Sequence, residues 1–196
     1  ELNSTSSTQS VRVGETIIIN ATITNRGEAD DRQDIKFNYR GASRSRSVAL
    51  SGNESTTVEF TYEARARDIG KNRSAVVASD DDTETIRFDV FKPAVFDVEV
   101  NKTASVTEVS NGEAIQLVAT VENRGTRSGT QNVTLAVAGN VVNTSADLTL
   151  AGGETTQVNL AYRTTGDNIG EEVPIMVSSL NDSARITASV TPVRVS

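Results

Sequence analysis

The sequence predicts an all-β protein made of two tandem antiparallel β-sandwiches of about seven strands each. Three observations support this prediction. The two halves of the chain repeat one another, and short runs of apolar residues alternate with polar residues, which is the period of a half-buried strand. No window of ten or more residues keeps apolar residues at the spacing of a helix. We therefore expect strands and turns throughout, and no long helix.

The internal repeat covers nearly the whole chain. Residues 21–27 read ATITNRG and residues 119–125 read ATVENRG, so the two copies lie 98 residues apart. Further along, LSGNESTTVEFTY at 50–62 matches LAGGETTQVNLAY at 150–162 at a spacing of 100 residues. The two-residue difference falls in a middle loop. Because self-similarity at a fixed period is the mark of repeated modules, we predict one sandwich per copy.

The strands can be assigned in chain order from residues that share a face, since side chains at i and i+2 of a strand point the same way. The inward-facing sets predicted for copy one are Ile17, Ile19, Ala21 and Ile23, then Ile35, Phe37 and Tyr39, then Val58, Phe60 and Tyr62, and finally Val77 with Ile86 and Val90. Copy two repeats them as Ile115, Leu117, Ala119 and Val121, then Val133, Leu135 and Val137, then Val158, Leu160 and Tyr162, and finally Val177 with Ile186 and Val190.

Turn signals separate these strands at Asn-Arg-Gly, Ser-Gly-Asn and Ala-Gly-Gly. About seven strands in about 98 residues is typical of an immunoglobulin-like sandwich, here without the cysteine pair and tryptophan of antibody domains. We interpret Tyr62 and Tyr162 as residues at the edge of the core whose hydroxyls reach a surface partner. Four glycines are interpreted as turn residues that allow positive φ, namely Gly27, Gly52, Gly125 and Gly152.

The order of these motifs resembles a known family. An alternating strand, Asn-x-Gly, a second strand and then Leu-x-x-Gly-Glu-x-x-x-Val-x-Leu/Phe-x-Tyr is similar to the CARDB group, cell-adhesion-related immunoglobulin-like domains of bacterial and archaeal surface proteins. Residues 77–83 also resemble haloarchaeal versions of it. The resemblance implies a sandwich fold and an extracellular setting, and it implies no particular ligand or reaction. The motif residues are Asn25, Gly27, Leu50, Gly52 and Glu54 in copy one and Asn123, Gly125, Leu150, Gly152 and Glu154 in copy two.

The amino-acid composition excludes several kinds of catalytic site and of binding partner. The chain has no cysteine and no histidine, which excludes disulfides, thiolate nucleophiles and histidine-based catalysis. Its net charge is −7, and it has 15 arginines but only four lysines. An acidic surface with few lysines and many threonines resembles proteins of halophilic archaea, and it argues against nucleic acid as a partner. No apolar run of 18 residues is present, so we expect no direct membrane insertion within this chain.

The two ends of the chain also fit the repeat. We divide the chain into domains at 1–93 and 94–196. Residues 192–196 match the residues from Pro93 onwards that open the first strand of copy two, whereas Glu1 is aligned with Glu99, partway along that strand. Two interpretations remain open: the chain is a stretch of a longer array, or subunits join head to tail as one chain supplies part of the next chain's sheet.

Asparagine sequons are more frequent than chance placement of the asparagines, serines and threonines would give. Because Asn-x-Ser/Thr is the acceptor for N-linked glycans, we predict that several are glycosylated and that the protein is exported. The predicted sites are Asn3, Asn20, Asn53, Asn72, Asn101, Asn132, Asn143 and Asn181. Asn3 and Asn101 are predicted to be equivalent positions of the repeat.

Two charged clusters are candidate binding sites. Asp80, Asp81 and Asp82 could supply oxygen ligands to Ca²⁺, but EF-hand spacing is missing and a solvated acidic loop is the favoured interpretation. Arg40, Arg44 and Arg46 are predicted to form a basic loop in copy one, either exposed to solvent or paired with an acidic neighbour.

The sequence thus predicts a protein that is not an enzyme and needs no cofactor, because the acidic residues fall in turns or on outward strand positions and no pocket for chemistry is expected. The predicted role is a structural repeat unit of an extracellular, glycosylated surface assembly that contacts copies of itself, such as a filament, a surface layer or a stalk. The alternative is an adhesin or a module that binds carbohydrate or protein. The scarcity of aromatic residues, 4% of the chain, speaks against sugar stacking.

Overall fold

The computed structural model describes residues 1–6 and 9–193 of the chain. The chain divides into two compact units, unit 1 (Glu1–Lys92) and unit 2 (Pro93–Ser196). Each is a sandwich of a three-stranded and a five-stranded sheet that enclose an apolar core. The predicted fold class, two tandem immunoglobulin-like β-sandwiches, is confirmed. Helical backbone in the described residues is confined to two single 3₁₀ turns, Ala66–Asp68 and Gly166–Asn168.

The described part of unit 1 has eight strands. Its three-stranded sheet has the order β1-β3-β6 and its five-stranded sheet the order β2-β8-β7-β4-β5. The strands are β1 (Leu2–Ser6), β2 (Ser10–Arg12), β3 (Thr16–Thr24), β4 (Asp31–Tyr39), β5 (Ala42–Leu50), β6 (Ser55–Glu63), β7 (Gly70–Ala78) and β8 (Thr83–Phe91).

Unit 2 repeats this topology in its described residues. The three-stranded sheet has the order β14-β11-β9 and the five-stranded sheet the order β10-β16-β15-β12-β13. The strands are β9 (Phe96–Val100), β10 (Glu108–Ser110), β11 (Ala114–Asn123), β12 (Gly129–Val137), β13 (Asn140–Leu150), β14 (Thr155–Arg163), β15 (Gly170–Ser178) and β16 (Ser183–Thr191).

The cores are built from the side chains that the alternation predicted to point inward. In β3, Ile17, Ile19 and Ala21 are fully buried, and in β11 Ile115 and Val121 are as well. Val58, Tyr162 and Ile186 are only partly buried at the margin of the cores. Because alternate residues of both sheets face one another, each unit closes an apolar interior without a disulfide.

The two short strands β2 and β10 depart from the antiparallel pattern. Each has three residues and pairs in parallel with the last strand of its unit, β8 or β16. After its first strand, the chain crosses from the three-stranded sheet to the edge of the five-stranded sheet. There it forms hydrogen bonds with backbone groups of the edge strand that would otherwise be exposed. These pairings account for the eighth strand. They were not predicted because three residues are too few to show a period.

The register of β1 corrects the sequence alignment of the two N-terminal strands. Leu2 lies opposite Ile23 and Val98 lies opposite Val121, so Leu2 corresponds to Val98, not to Val100. The predicted alignment of Glu1 with Glu99 is therefore wrong by two residues, and Asn3 and Asn101 are not equivalent. A shift of two residues keeps every side chain on its face, so alternation alone cannot detect it.

The glycines of the repeat motif serve a different purpose from the one predicted. None of Gly27, Gly52, Gly125 and Gly152 is among the described residues with positive φ. A Cβ on Gly52 would lie 2.2 Å from the carbonyl oxygen of Glu28, and one on Gly152 would lie 2.5 Å from the carbonyl carbon of Thr126. These two glycines are needed because another backbone passes close by.

We expect Gly152→Ala to destabilise unit 2 by about 1–3 kcal/mol, the usual cost of forcing an extra carbon into a packed site. Thermal unfolding followed by circular dichroism, with hydrogen exchange measured in β14, would detect the change. Gly166→Ala is the matched control, because a Cβ there meets nothing within 4 Å. Equal stability of the two variants would contradict the close approach at Gly152.

Candidate functional site

The most distinctive local feature is a groove at the end of the three-stranded sheet, which is filled in unit 2. The segment Pro93–Phe96 lies in it, and Phe96 is fully buried in the core. The amide of Val95 donates to Asn123 Oδ1 at 3.2 Å, and the Arg124 amide donates to the Val95 carbonyl at 2.8 Å. The core of unit 2 thus includes Phe96, the first residue of β9, and Ala94 before this strand packs against the core.

The far side of the segment is held by the hairpin between β15 and β16. The Phe96 amide donates to Asn181 Oδ1 at 3.1 Å, and Ser179 Oγ donates to the Phe96 carbonyl at 2.7 Å. Space for the segment comes from two glycines. A Cβ on Gly125 would lie 2.1 Å from the Pro93 carbonyl oxygen, and one on Gly129 would lie 2.3 Å from the Cβ of Ala94.

We call the corresponding region of unit 1 the edge groove, and the positions that match Pro93–Phe96 there fall before Glu1. It is a cavity of about 250 Å³. Its residues include the counterparts of those that hold Pro93–Phe96 in unit 2, because Asn25, Gly27, Ser79 and Asp81 correspond to Asn123, Gly125, Ser179 and Asn181. The edge groove is lined by Glu1, Ile23, Thr24, Asn25, Arg26, Gly27, Asp31, Gln33, Val48, Leu50, Ser79 and Asp81.

The asparagine of the Asn-Arg-Gly motif organises this region in both units. Asn123 is fully buried, and its amide nitrogen donates to three backbone carbonyls, those of Arg127, Leu150 and Ala151. Its counterpart Asn25 donates to the carbonyls of Ala29 and Leu50. In each unit the side-chain oxygen also accepts from the glycine amide two residues on, at 2.9 Å. The motif therefore ties the end of one sheet to the other.

The first strand of each unit is fastened to the opposite sheet by an aspartate. Asp82 Oδ2 accepts from the Leu2 amide at 2.8 Å, and Asp182 Oδ2 accepts from the Val98 amide at 3.0 Å. These backbone hydrogen bonds hold the pKa of both carboxyls below the ordinary value of 3.8. They also confirm that Leu2 and Val98 are equivalent.

A second polar cluster lies inside each unit, beside the 3₁₀ turn. Tyr62 OH donates to Asp68 Oδ2 at 2.9 Å, and Tyr162 OH donates to Asn168 Oδ1 at 2.9 Å. The prediction of a surface partner for these tyrosines is wrong, because Asp68 is fully buried and Asn168 is 9% exposed. The tyrosine hydroxyl can enter the core margin because a local side chain accepts from it.

The buried Asp68 carboxylate has a positive charge beside it, and unit 2 has no such charge at the corresponding position. Arg40 Nε lies 3.3 Å from Asp68 Oδ1, as an ion pair without the alignment of a hydrogen bond. Unit 2 has neutral Asn168 in place of Asp68 and Ala138 in place of Arg40. Burial, followed by the charge of Asp68, raises the pKa of the neighbouring Tyr39 to about 12.

Some residues of the acidic and basic clusters predicted from the sequence form hydrogen bonds or ion pairs within unit 1. Asp81 accepts from the side-chain amide of Gln33, and Asp82 holds Leu2. The described residues contain no group of three or more His, Cys, Asp or Glu arranged to hold a metal ion. Arg44 and Arg46 lie on strand β5 and not in a loop, which corrects the prediction of a basic loop with Arg40.

The predicted glycosylation sites are spread over both units. Asn3, Asn53, Asn72, Asn132 and Asn181 are exposed, whereas Asn20, Asn101 and Asn143 are half-buried. Four of these asparagines have side-chain hydrogen bonds of their own. Asn143 donates its amide to the Ala161 carbonyl, and Asn181 accepts from Phe96 and Gln131. Asn101 accepts from the Ala104 amide, and Asn132 accepts from the Asp147 amide.

Unit 2 also has an open depression that the sequence did not indicate. It has a volume of about 800 Å³, and its lining includes Lys102, Met176, Arg185 and Ile186. The sequence predicted no pocket for chemistry, and it did not indicate this depression either. No periodicity could have shown it, because its lining comes from β12, β15, β16 and the loop after β9.

Comparison with known proteins agrees with the fold. Residues 95–183 match the CARDB family model, which confirms for copy two the resemblance carried by the motifs. Two solved structures have low similarity. An ICAM-5 D1–D4 ectodomain fragment matches at 13% identity and a TM-score of 0.42, over 98% of this chain and 54% of that one. The fibronectin(III)-like modules of Clostridium thermocellum CbhA match at 15% identity and a TM-score of 0.33, over 96% and 95%.

The chain thus spans about half the length of the ICAM-5 fragment. No curated protein sequence matches it. Among the residues that the structure describes, none forms a helix long and apolar enough to cross a membrane.

We expect Arg40→Ala to destabilise unit 1 by about 1–3 kcal/mol, because it leaves the buried Asp68 carboxylate without its counter-charge. Adding Asp68→Asn should restore most of the loss, since the double variant copies the neutral pair already present in unit 2. Denaturant unfolding of the wild type, both single variants and the double variant would give the coupling free energy between Arg40 and Asp68. Additive effects of the two changes would contradict a shared role.

We expect acid to weaken the attachment of β9. A carboxyl whose folded-state pKa is lowered contributes stability above its unfolded-state pKa, and that contribution is lost as pH falls through the folded-state value. Asp182→Asn removes the titrating charge and keeps an acceptor. The variant should be less stable than the wild type at pH 7, and the difference should shrink towards pH 2 in thermal unfolding experiments. A difference that does not change with pH would contradict this role.

Proposed function

We propose that this chain is a structural module of an extracellular, glycosylated surface assembly, and that it is not an enzyme. The observation that supports this proposal most directly is the nature of the residues that the two units share. Asn25 and Asn123, Tyr62 and Tyr162, and Asp82 and Asp182 all bind the protein's own backbone or a neighbouring side chain. The repeat has kept the groups that hold a sandwich together.

The family match points in the same direction. CARDB domains are adhesion-related or structural modules of the extracellular space, and the match covers most of unit 2. The acidic surface and scarce lysines fit a protein of a halophilic archaeon, since charged, hydrated surfaces keep proteins soluble in salt. In this proposal, contacts between copies or neighbouring modules give a linear or lattice assembly.

Exposed sequons support an external location. Five of the eight predicted sites lie on exposed side chains, where a glycan can project without disturbing the core. A surface covered by glycans and carboxylates also limits unspecific contact between modules. Edge strands are left as places where specific contacts can form.

We expect native material to form ordered fibres or a lattice in electron micrographs, and its intact mass to exceed that of the peptide because of attached glycans. Protein made without glycosylation is the control for the mass. Monodisperse particles of peptide mass alone would contradict the proposal and would favour the adhesin.

A further inference from the structure

We infer that the free edge of β14 joins unit 2 to a second copy of this chain, whose own β14 adds to it in antiparallel orientation about Asn159. The inference deepens the proposed function and rests on it, because it names one contact by which two copies of the module are held together. Addition of a strand to an exposed sheet edge is a known mode of recognition, in which main-chain hydrogen bonds supply the affinity.

Strand β14 lies at the edge of the three-stranded sheet of unit 2 and has a neighbour, β11, on one side only. At its two ends the Asn123 amide donates to the Glu154 carbonyl, and the Thr164 amide donates to the Glu113 carbonyl. Both hydrogen bonds lead towards β11, and the register between them is unbroken. Because backbone groups alternate in direction along a strand, the even-numbered residues of β14 face β11.

The odd-numbered residues of β14 therefore direct their amides and carbonyls to the free edge. Gln157, Asn159 and Ala161 are exposed. Within the described part of the chain, one hydrogen bond reaches these outward groups, from Asn143 Nδ2 of β13 to the Ala161 carbonyl at 2.7 Å. A row of unpaired backbone groups of this kind is a template for an added strand.

The other edge strands described in unit 2 are shorter or irregular. β9 and β10 have five and three residues. β13 has eleven residues, but its register with β12 shifts at two places, and Asp147 adopts a positive φ of 52°. Bulges of this kind disturb the backbone groups along an edge and hinder its pairing with another chain. β14, in contrast, has nine residues and no register shift.

The long edge strands of unit 1 carry charges instead. In β5, Arg44 and Arg46 lie on the face that also holds the buried Val48, which is the inner face of the sheet. β6 has Glu59 at its centre, and Arg44, Arg46 and Glu59 line one cavity of about 400 Å³. Charged side chains on an edge strand, above all inward-pointing ones, oppose the addition of another strand.

The corresponding stretch of β14 is uncharged and is compatible with its own copy. Residues 155–162 read TTQVNLAY, and Arg163 at the end of the strand would lie opposite Thr155 of the second copy. The same pairing of β6 about its centre would place Glu59 opposite Glu59. Like charges directly opposite one another destabilise a strand pair. Self-pairing is therefore favoured for β14 and opposed for β6.

Pairing about a two-fold axis at Asn159 uses the outward backbone groups of both copies. With Asn159 opposite Asn159, Gln157 of each copy lies opposite Ala161 of the other. All three residues turn their amides and carbonyls to the same edge, so these become the hydrogen-bonded pairs of an antiparallel ladder. Val158 and Leu160 stay buried in their own unit, so the contact needs no rearrangement of the core.

Asn143 marks the place where a glycan would oppose this contact. Its amide nitrogen, the atom to which an N-linked glycan is attached, lies 2.7 Å from the Ala161 carbonyl at the edge. A glycan there would cover the outward groups of β14, whereas the bare amide leaves the second lone pair of that carbonyl free. We therefore expect Asn143 to be unmodified in assembled protein, while exposed sequons carry glycans.

The first test is the oligomeric state of the full, unglycosylated chain, measured by sedimentation equilibrium at an ionic strength of about 0.15 M. We expect a concentration-dependent dimer. Asn159→Glu copies Glu59 of unit 1 and should weaken the dimer about fivefold, because two carboxylates then meet at the axis. Asn159→Gln is the matched neutral control and should dimerise as the parent does.

A second variant acts on the backbone of the edge. Asn159→Pro removes the outward amide at the axis and should abolish the dimer, and the unit should stay folded because proline is tolerated where a strand amide faces solvent. Circular dichroism checks the fold. A strictly monomeric parent chain, or equal dimerisation by the Gln and Glu variants, would overturn the inference.

A charge swap identifies what lies opposite residue 159. Asn159→Lys alone should also weaken the dimer about fivefold, and a mixture of the Asn159→Glu and Asn159→Lys chains should form a mixed dimer that is tighter than that of either variant. If β6 of the second copy were the partner, Asn159→Lys would strengthen the association by pairing with Glu59. That result would overturn the assignment to β14.

A covalent test uses the absence of cysteine from the chain. Hydrogen-bonded residues of an antiparallel pair have Cα atoms about 5.5 Å apart, a distance that a disulfide can span. Asn159→Cys should therefore form a reducible dimer under mild oxidation. Leu180→Cys is the control for random collision, because Leu180 is 84% exposed in the hairpin between β15 and β16. Equal yields of linked dimer from the two variants would contradict the pairing.

These outcomes are separate from those of the proposed function. Ordered native fibres from a chain that fails the pairing tests would leave the structural role intact and remove β14 as the contact, and so would a glycan found on Asn143 in such fibres. Pairing through β14 in native material that stays as dispersed dimers would keep this contact and contradict the larger assembly.

Discussion

The fold of unit 2 depends on how it satisfies the buried amide of one asparagine, whose counterpart Asn25 in unit 1 is half-buried. Asn123 is fully buried at the end of β11 and meets five backbone groups, the carbonyls of Arg127, Leu150 and Ala151 and the amides of Val95 and Gly125. A buried side-chain amide left without these partners would be costly, so the surrounding turns must take up one arrangement. The asparagine thereby brings together the two sheets, a tight turn and the segment before the first strand.

The two units show the same scaffold under different electrostatic conditions. Unit 1 buries a carboxylate at Asp68 and places Arg40 beside it, whereas unit 2 uses Asn168 and Ala138. Both solutions keep the tyrosine hydroxyl bonded at 2.9 Å. A buried charge is tolerated where a counter-charge accompanies it, and a neutral amide needs none. The two units therefore allow a direct comparison between a buried, ion-paired carboxylate and a neutral amide at the same position of the fold.

The segment Pro93–Phe96 joins the start of unit 2 to its core. Phe96, the first residue of β9, is fully buried, and Ala94 packs against the core. The side chains of Asn123, Ser179 and Asn181 form hydrogen bonds with the backbone of Val95 and Phe96. Main-chain hydrogen bonds and apolar burial therefore act together where the first strand of this unit begins.

The all-β class, the repeat, and most of the side chains that fill the two cores can be predicted from the amino-acid sequence. Strand alternation is a local signal, and Ile19, Phe37 and Leu117 are buried as it predicts. The register of β1, the parallel pairing of β2 and β10, the reason for Gly52 and Gly152, and the burial of Asp68 emerge only in the folded structure. These depend on contacts between residues far apart in the chain, and a period of two residues reports which face a side chain occupies but not what lies across from it.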